Sequence, residues 1–323
     1  MKPIGGYFEL ELSKGGMHYH GTPYVLKSGR AALREIFRYI KPSLVYLPYY
    51  TCDALLEPFE AEGVEFRFYE INEFLEPVCS FDLLPGEYLL YINYFDLKRD
   101  AVQQLSSLYK DKLIVDCTQS FFMQGNGVSW FFNSCRKFFG VPDGAYLYVP
   151  DGVSLPTKYA ANEDYSVEHL VKRFNGHPGE GYRFFQDNEK LAGGEVFAIS
   201  KLSEYLLSQI NYDQVATQRR ENYKFLQARL QHINLLPAQP VTENVPMCYP
   251  LLLNEKVDKA SFFDRQIFVP SFWKDTLERA DKGFNHEKGL TEHLLPLPVD
   301  QRYSRDDMEL IISVVSEVVN KNV

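Results

Sequence analysis

No hydrophobic run in the chain approaches the ~18–20 residues a helix needs to cross a bilayer, so no membrane span is expected. The N-terminus, Met1-Lys2-Pro3-Ile4-Gly5-Gly6, lacks the apolar stretch of a secretion signal. Basic residues are in the minority, 34 Lys+Arg against 43 Asp+Glu, for a formal charge of −9. A negative field repels phosphate backbones, and no local basic patch offsets it, so nucleic acid is not an expected partner. Cysteine is scarce and odd in number: Cys52, Cys79, Cys117, Cys135 and Cys248 form neither a disulfide framework nor a CxxC knuckle. That pattern fits reduced thiols in a cytoplasmic protein. No Gly-x-Gly-x-x-Gly follows a strand, which argues against a dinucleotide enzyme, and no Gly-x-Ser-x-Gly elbow suggests an α/β-hydrolase. His18 and His20 lack Cys or carboxylate companions at ligand spacing, so they read as surface residues and no metal site is expected. Internal repeats and low-complexity tracts are absent too.

Aromatic residues are plentiful instead. The 323 residues include 22 Tyr and 24 Phe, ample material for a large core and a subunit interface. The length corresponds to about two domains at ~100–200 residues each. From residue 24 to 150 the pattern alternates between strand and helix. Ser28 caps a helix with Leu33, Ile36, Phe37 and Ile40 on one face, stopped at Lys41-Pro42. Leu44–Leu47 is a short apolar strand, and a helix carrying Cys52, Leu55, Leu56 and Phe59 ends near Gly63. Strands follow at Val64–Ile71 and Glu87–Phe95, then a helix striped by Val102, Leu105, Leu108 and Tyr109, then the strand Lys112–Asp116. Strands at helix-length intervals imply a mostly parallel sheet with helices on both faces.

The second half changes character. Phe197–Ile210 and Asp213–Ile233 read as helices, Met247–Leu253 and Gln266–Val269 as short strands, and Asp306–Val319 as a closing helix. The expected organisation is a large domain over 1–212, with an N-terminal arm of about 1–20, and a smaller α+β domain over 213–323. Arg219 and Arg220, on the second long helix, read as a solvated face. His177–Gly181 reads as a loop.

In an open parallel sheet, ligands sit beyond the carboxyl ends of the strands. Three segments fall there. Lys27-Ser28-Gly29-Arg30 stands at a helix N-terminus, where free N–H groups attract an anion, although a plain helix cap has the same pattern. Asp116 ends the Leu113-Ile114-Val115 strand, where a carboxylate can anchor a cationic nitrogen or simply cap a turn. Lys137 lies between apolar and aromatic residues before a Gly/Pro turn and a strand; such surroundings would desolvate its amine and make it nucleophilic.

An anion cup, a strand-end aspartate, and a lysine before a glycine turn appear in the order used by fold type I pyridoxal-phosphate enzymes. The chain resembles the DegT/DnrJ-type sugar aminotransferases over nearly its whole length. Ser28-Gly29 with Ala31-Ala32-Leu33 is similar to that family's phosphate cup, and Leu47-Pro48-Tyr49-Tyr50-Thr51 to its segment beside the cofactor ring. Ile92-Asn93-Tyr94-Phe95 falls at the family's Val-His-Leu-Tyr stretch, and Val115-Asp116-Cys117-Thr118-Gln119 resembles its Glu-Asp-Ala-Ala-Gln element. Lys137 precedes Gly144 by the family's interval, and the Ser134-x-x-Lys137 spacing recurs across fold type I. The chain departs from the pattern at Arg30 (threonine in the family), Asn93 (histidine) and Ala145 (the second glycine of a pair); Cys52 or a neighbouring tyrosine stands where an aromatic ring often stacks.

The resemblance implies pyridoxal 5'-phosphate held on Lys137, with Asp116 on its ring nitrogen and Gln119 against the ring or its hydroxyl. Ser28, Gly29 and Ser134 would hold the phosphate with Arg30 or Arg136 as a charge partner, and Tyr50, Thr51 and Asn93 would line the pocket. It further implies an amino-acid donor such as glutamate, a keto-sugar or sugar-nucleotide acceptor, and a homodimer in which the partner's counterpart of Phe185–Lys190 reaches the phosphate. Two alternatives stay open: dehydration of a sugar on the same scaffold, and a non-catalytic regulatory or assembly role.

Overall fold

The computed structural model describes Leu10, Leu12 and residues 16–321; most of the expected N-terminal arm lies outside them. Seven strands form the main sheet: β1 (Tyr24–Leu26), β2 (Leu44–Pro48), β3 (Phe66–Tyr69), β4 (Glu87–Ile92), β5 (Leu113–Cys117), β6 (Trp130–Asn133) and β7 (Ala145–Tyr148). Their spatial order is β1-β7-β6-β5-β4-β2-β3. All neighbouring pairs from β3 to β6 are parallel, and β7 alone runs against its two neighbours. The mostly parallel α/β sheet is as expected. Strands β2, β4 and β5 read as near-continuous apolar runs because both faces are covered.

Between the strands run α1 (Gly29–Ile40), α2 (Glu57–Glu62) and α3 (Arg99–Tyr109). Helix α1 buries Ala31, Ala32, Leu33, Ile36 and Phe37, and α2 is closed by Gly63 at φ 64°, a left-handed cap that glycine takes without strain. Next come α4 (Glu168–Phe174), α5 (Pro178–Leu191), α6 (Lys201–Ser208) and α7 (Tyr212–Leu230). Two expectations change here. The loop expected at His177–Gly181 is the start of α5, because Pro178 takes a first-turn position where a missing N–H costs nothing. The helix expected from Phe197 begins only at Lys201, capped by Ser200, since Phe197 and Ile199 are extended and bonded to Lys27 and Val25 of the main sheet's edge.

A second sheet pairs β8 (Cys248–Leu252) with β9 (Leu294–Pro298), antiparallel, Tyr249 opposite Leu297. Its helices are α8 (Ala260–Phe263), α9 (Asp275–Glu278), α10 (Asn285–His293) and α11 (Arg305–Lys321), the last packed on α7. The strand expected at Gln266–Val269 is not one. Gln266 takes φ 57°, and the Ile267 N–H returns to the Phe262 carbonyl at 2.8 Å, so the segment ends α8 as a left-handed cap. Strand β9 was not expected, because Pro296 and Pro298 mask its period; proline is tolerated in this two-stranded ladder, which leaves free edges.

The expected boundary at residue 212 falls on the first residue of α7. The main apolar cluster includes Leu33, Val115, Leu226, Tyr249, Leu297 and Val314, drawn from both sheets and both long helices. A second cluster, with Phe121, Phe122, Phe138, Phe139, Tyr146 and Tyr212, lies under the turn after β6. Some of its rings meet edge-on, as Phe121 and Phe139 do at 4.7 Å and 82°, and others stack, as Phe121 and Tyr212 do at 5.9 Å and 8°.

Candidate active site

The parallel strands β2, β4, β5 and β6 point their carboxyl ends the same way, so the segments that follow them converge. The N-terminus of α1 meets two of them. A Cβ on Gly29 would stand 3.1 Å from Thr118 Cγ2 and 3.2 Å from the Asn133 carbonyl oxygen, an approach only glycine makes comfortably. Ser28 caps the helix, its Oγ accepting from the Ala31 N–H at 3.1 Å. The Gly29 and Arg30 N–H groups donate to no acceptor among the described residues.

Asp116, at the end of β5, is 4% exposed. One carboxylate oxygen accepts the Thr118 N–H at 2.7 Å. Burial pushes the carboxyl pKa above its ordinary value, opposed by the hydrogen bonds from Thr118 and by the charge of Lys137. Lys137 acts on Cys52 too: burial raises that thiol and the lysine charge pulls it back. Asp116, Lys137 and Cys52 therefore share one electrostatic neighbourhood.

Lys137 is exposed, contrary to the desolvated lysine expected from its sequence neighbours. The reason is local. Cys135–Lys137 form a 3₁₀ turn, in which positions i and i+3 share a side, so Cys135 and Phe138 point into the aromatic cluster and Lys137 points out. Lys137 makes no hydrogen bond or ion pair among the described residues. Ser134 precedes the turn, and its hydroxyl makes no capping bond.

Gln119 is fully buried; its Oε1 accepts the Phe95 N–H at 3.1 Å, while its Nε2 has no partner among the described residues. A buried amide donor left unpaired is costly and calls for an acceptor. Asn93 is different. Its Nδ2 donates to Ser120 Oγ at 2.8 Å and to Asp96 at 3.2 Å, and its Oδ1 accepts the Lys98 N–H. That amide is spent inside the protein. Tyr50 is buried with its ring 4.5 Å from Trp273, edge-on, and its hydroxyl has no partner among the described residues. Thr51 is held through its backbone, its carbonyl accepting from Arg279 at 2.8 Å.

The end of α5 lies over the α1 N-terminus. Ser28 Oγ donates to the Ala192 carbonyl at 2.6 Å and Lys27 Nζ to the Gly193 carbonyl at 2.5 Å. Arg30 bonds Glu57 at 2.7 Å and the Glu189 carbonyl, and Arg136 pairs with the Glu189 carboxylate. The Phe185–Lys190 stretch thus runs in α5 of the same chain, with Asn188 donating to the Pro142 carbonyl at 2.8 Å.

No family model matches the chain, and no curated protein matches it. Solved structures do. The aminotransferase TlmJ from Streptoalloteichus hindustanus superposes with a TM-score of 0.66 at 16% identity, over 92% of this chain and 85% of that one. The S. venezuelae DesV, solved with a ketimine intermediate, gives 0.63 at 18% identity, over 91% and 83%. A DegT DnrJ EryC1 StrS aminotransferase from Brucella abortus gives 0.60 at 14%, over 91% and 84%.

The chain shares the fold of these aminotransferases.

Within that fold Gly29 packs against Thr118 and the Asn133 carbonyl, the charge of Lys137 acts on Asp116, and Asn93 is turned into an internal network. Two further findings correct the sequence reading. His20 is buried, at 4% exposure, with Nδ1 2.8 Å from Tyr148 Oη, whereas His18 is exposed as expected. Arg219 is buried as well, not solvated. Val215, Ala216, Asn222, Tyr223 and Leu226 recur around it at helical spacing, so the buried stripe of α7 carried the signal.

Proposed function

We propose that the chain is a pyridoxal-phosphate-dependent aminotransferase that moves an amino group from an amino acid, glutamate being the first candidate, to a keto-sugar or sugar nucleotide. The carrying observation is the placement of buried Asp116 near the carboxyl end of β5 and of Lys137, without a partner among the described residues, in the turn after the adjoining parallel strand β6, in a fold shared with the sugar aminotransferase CalS13. The residues fit the cofactor on independent grounds. Among the described residues Gln119 Nε2 is an orphaned buried donor and the Gly29 and Arg30 N–H groups are a free helix N-terminus for a phosphate, and Ser134 opens the turn that carries Lys137.

Pyridoxal phosphate, when bound, supplies an electron sink for the pair left when a C–H bond breaks beside nitrogen. The protein's own residues do the rest. Lys137 Nζ, free of partners, takes a proton and returns it. Asp116, with its carboxyl pushed up by burial, accepts a charge-assisted hydrogen bond strongly. Gln119 donates from Nε2. Gly29, Arg30 and Ser134 hold the phosphate; Ser28 gives only its cap, its hydroxyl being spent on Ala192.

The protein is proposed to be a cytoplasmic homodimer, with 1–212 as the cofactor-binding domain and 213–323 as the smaller one. The α4–α5 hairpin supports the dimer: it exposes Val171, Tyr182, Phe185 and, at 91%, Phe174. One observation favours the non-catalytic reading. The carbonyls of 189–193 sit on the basic groups around the α1 N-terminus, where a phosphate would otherwise be held.

The deciding experiment uses the purified protein with added pyridoxal phosphate. Amino acids are mixed in singly and the visible absorption band is followed. Loss of the band with glutamate or another amino acid is expected; a protein that binds the cofactor but responds to none would overturn the aminotransferase reading.

A further inference from the structure

We infer that Arg219 and Gln301 are positioning residues for Lys137, acting through the backbone carbonyl of Phe138. The inference rests on the proposed role of Lys137, but its geometry stands alone. Arg219, from α7, is buried and makes no ion pair with a carboxylate among the described residues; Asp300 acts on it only through its charge. Burying a cation carries a large hydration cost, and an apolar side chain would complete the stripe of α7 without it. What the guanidinium does instead is join three segments. Its Nε donates to Gln301 Oε1 at 2.8 Å, its Nη1 to the carbonyls of Pro246 and Met247 at 3.1 and 3.3 Å, and its Nη2 to the Phe138 carbonyl at 3.4 Å. Gln301 Nε2 donates to that same carbonyl at 2.9 Å. The guanidinium also lies 4.5 Å from the centre of the Phe138 ring.

Phe138 follows Lys137. The turn that carries Lys137 is fastened at its start, where the Cys135 N–H donates to the Gly144 carbonyl at 2.9 Å, and at its end by the two donors on Phe138. Lys137 stands between the fastenings with its own side chain free. Its backbone cannot shift toward or away from Asp116 without breaking one of them. A planar fork suits this task, since it reaches several acceptors at fixed angles and a lysine ammonium does not. A displacement of about 1 Å at a reacting group can cost on the order of a hundredfold in rate.

The test compares Gln301→Ala, Arg219→Lys and a control, Arg220→Ala, which removes the neighbouring cation of α7. Arg220 donates instead to the carbonyls of Glu243 and Asn244, at 2.8 and 3.0 Å. Hydrogen exchange of peptides covering 135–141 is read in protein without cofactor. With pyridoxal phosphate added, two further quantities are read: the pH midpoint of the visible band, and the fraction of bound cofactor that borohydride fixes on Lys137. The expected result for Gln301→Ala and Arg219→Lys is faster exchange, a moved midpoint and a fixed fraction lower by roughly tenfold, the scale of a lost charge-assisted hydrogen bond. Arg220→Ala should match the wild type. Gln301 is only half-buried, so its variant decides the matter even if Arg219→Lys fails to fold. Gln301→Ala with all three readouts within twofold of wild type would overturn the inference. A wild type with no visible band would sink the functional reading; hydrogen exchange then decides alone, and unchanged exchange in Gln301→Ala refutes the fastening.

Discussion

Acid should destabilise this protein through His20. The imidazole is 4% exposed, packed 4.5 Å from Tyr146 and 4.6 Å from Phe121, ring centre to ring centre. Asn133 Nδ2 is 3.1 Å from His20 Nε2, and the Oδ1 of the same amide accepts the Tyr146 N–H at 2.8 Å. The amide cannot turn over without losing that bond, so Nε2 must accept and Nδ1 must donate to Tyr148 Oη. A proton on Nε2 would face the Asn133 amide hydrogens. Burial pushes the pKa from 6.5 down to about 3, opposed only in part by a backbone hydrogen bond to Phe121. The unfolded chain takes the proton near 6.5 and the folded one only near 3, so between those values the unfolded state holds more protons. Stability is therefore full above pH 6.5 and falls as the pH drops. Each further pH step costs about 1.4 kcal/mol in that window, so about 2 kcal/mol is lost by pH 5 and between 4 and 5 kcal/mol, to order of magnitude, by pH 3. Urea unfolding from pH 7.5 to 4 measures this. His20→Gln should begin less stable and then lose distinctly less on acidification. Parallel profiles for the two proteins would refute the argument. Because Asn133 ends the strand that leads to Ser134 and Lys137, the acid loss should loosen the candidate site first.

Lys137→Ala should abolish both the visible band and the borohydride-stable label; a label mapped to another lysine would refute the assignment. Asp116→Asn should keep much of the bound cofactor but lose orders of magnitude in kcat, because the charge-assisted bond strengthens as charge develops; normal turnover would reduce Asp116 to a turn residue. Gly29→Ala should cost about 1–3 kcal/mol in urea unfolding, since its Cβ presses on the Asn133 carbonyl, which β6 holds in place; a neutral or stabilising effect would show that α1 can shift. Phe174→Glu should shift a dimer toward monomer in light scattering, and an unchanged mass would move the interface off the α4–α5 hairpin.

The sequence by itself determined the parallel sheet, because strands buried on both faces and helices striped on one leave a periodic signature that needs no tertiary knowledge. It determined the helix cap at Ser28 and the strand-end position of Asp116 in the same way. Three things were settled only by the fold. The burial of Arg219 depends on acceptors from residues 138, 246, 247 and 301, which no local pattern brings together. The exposure of Lys137 follows from a 3₁₀ turn that sends its phenylalanine neighbours inward, so apolar neighbours in sequence were not neighbours of its amine. And the commitment of Ser28, Lys27 and Arg30 to the end of α5 arises between segments some 160 residues apart in the chain. Hydrogen-bonding side chains recognise whatever acceptor the folded chain delivers. Their type is written in the sequence, but their partners are a property of the packed molecule.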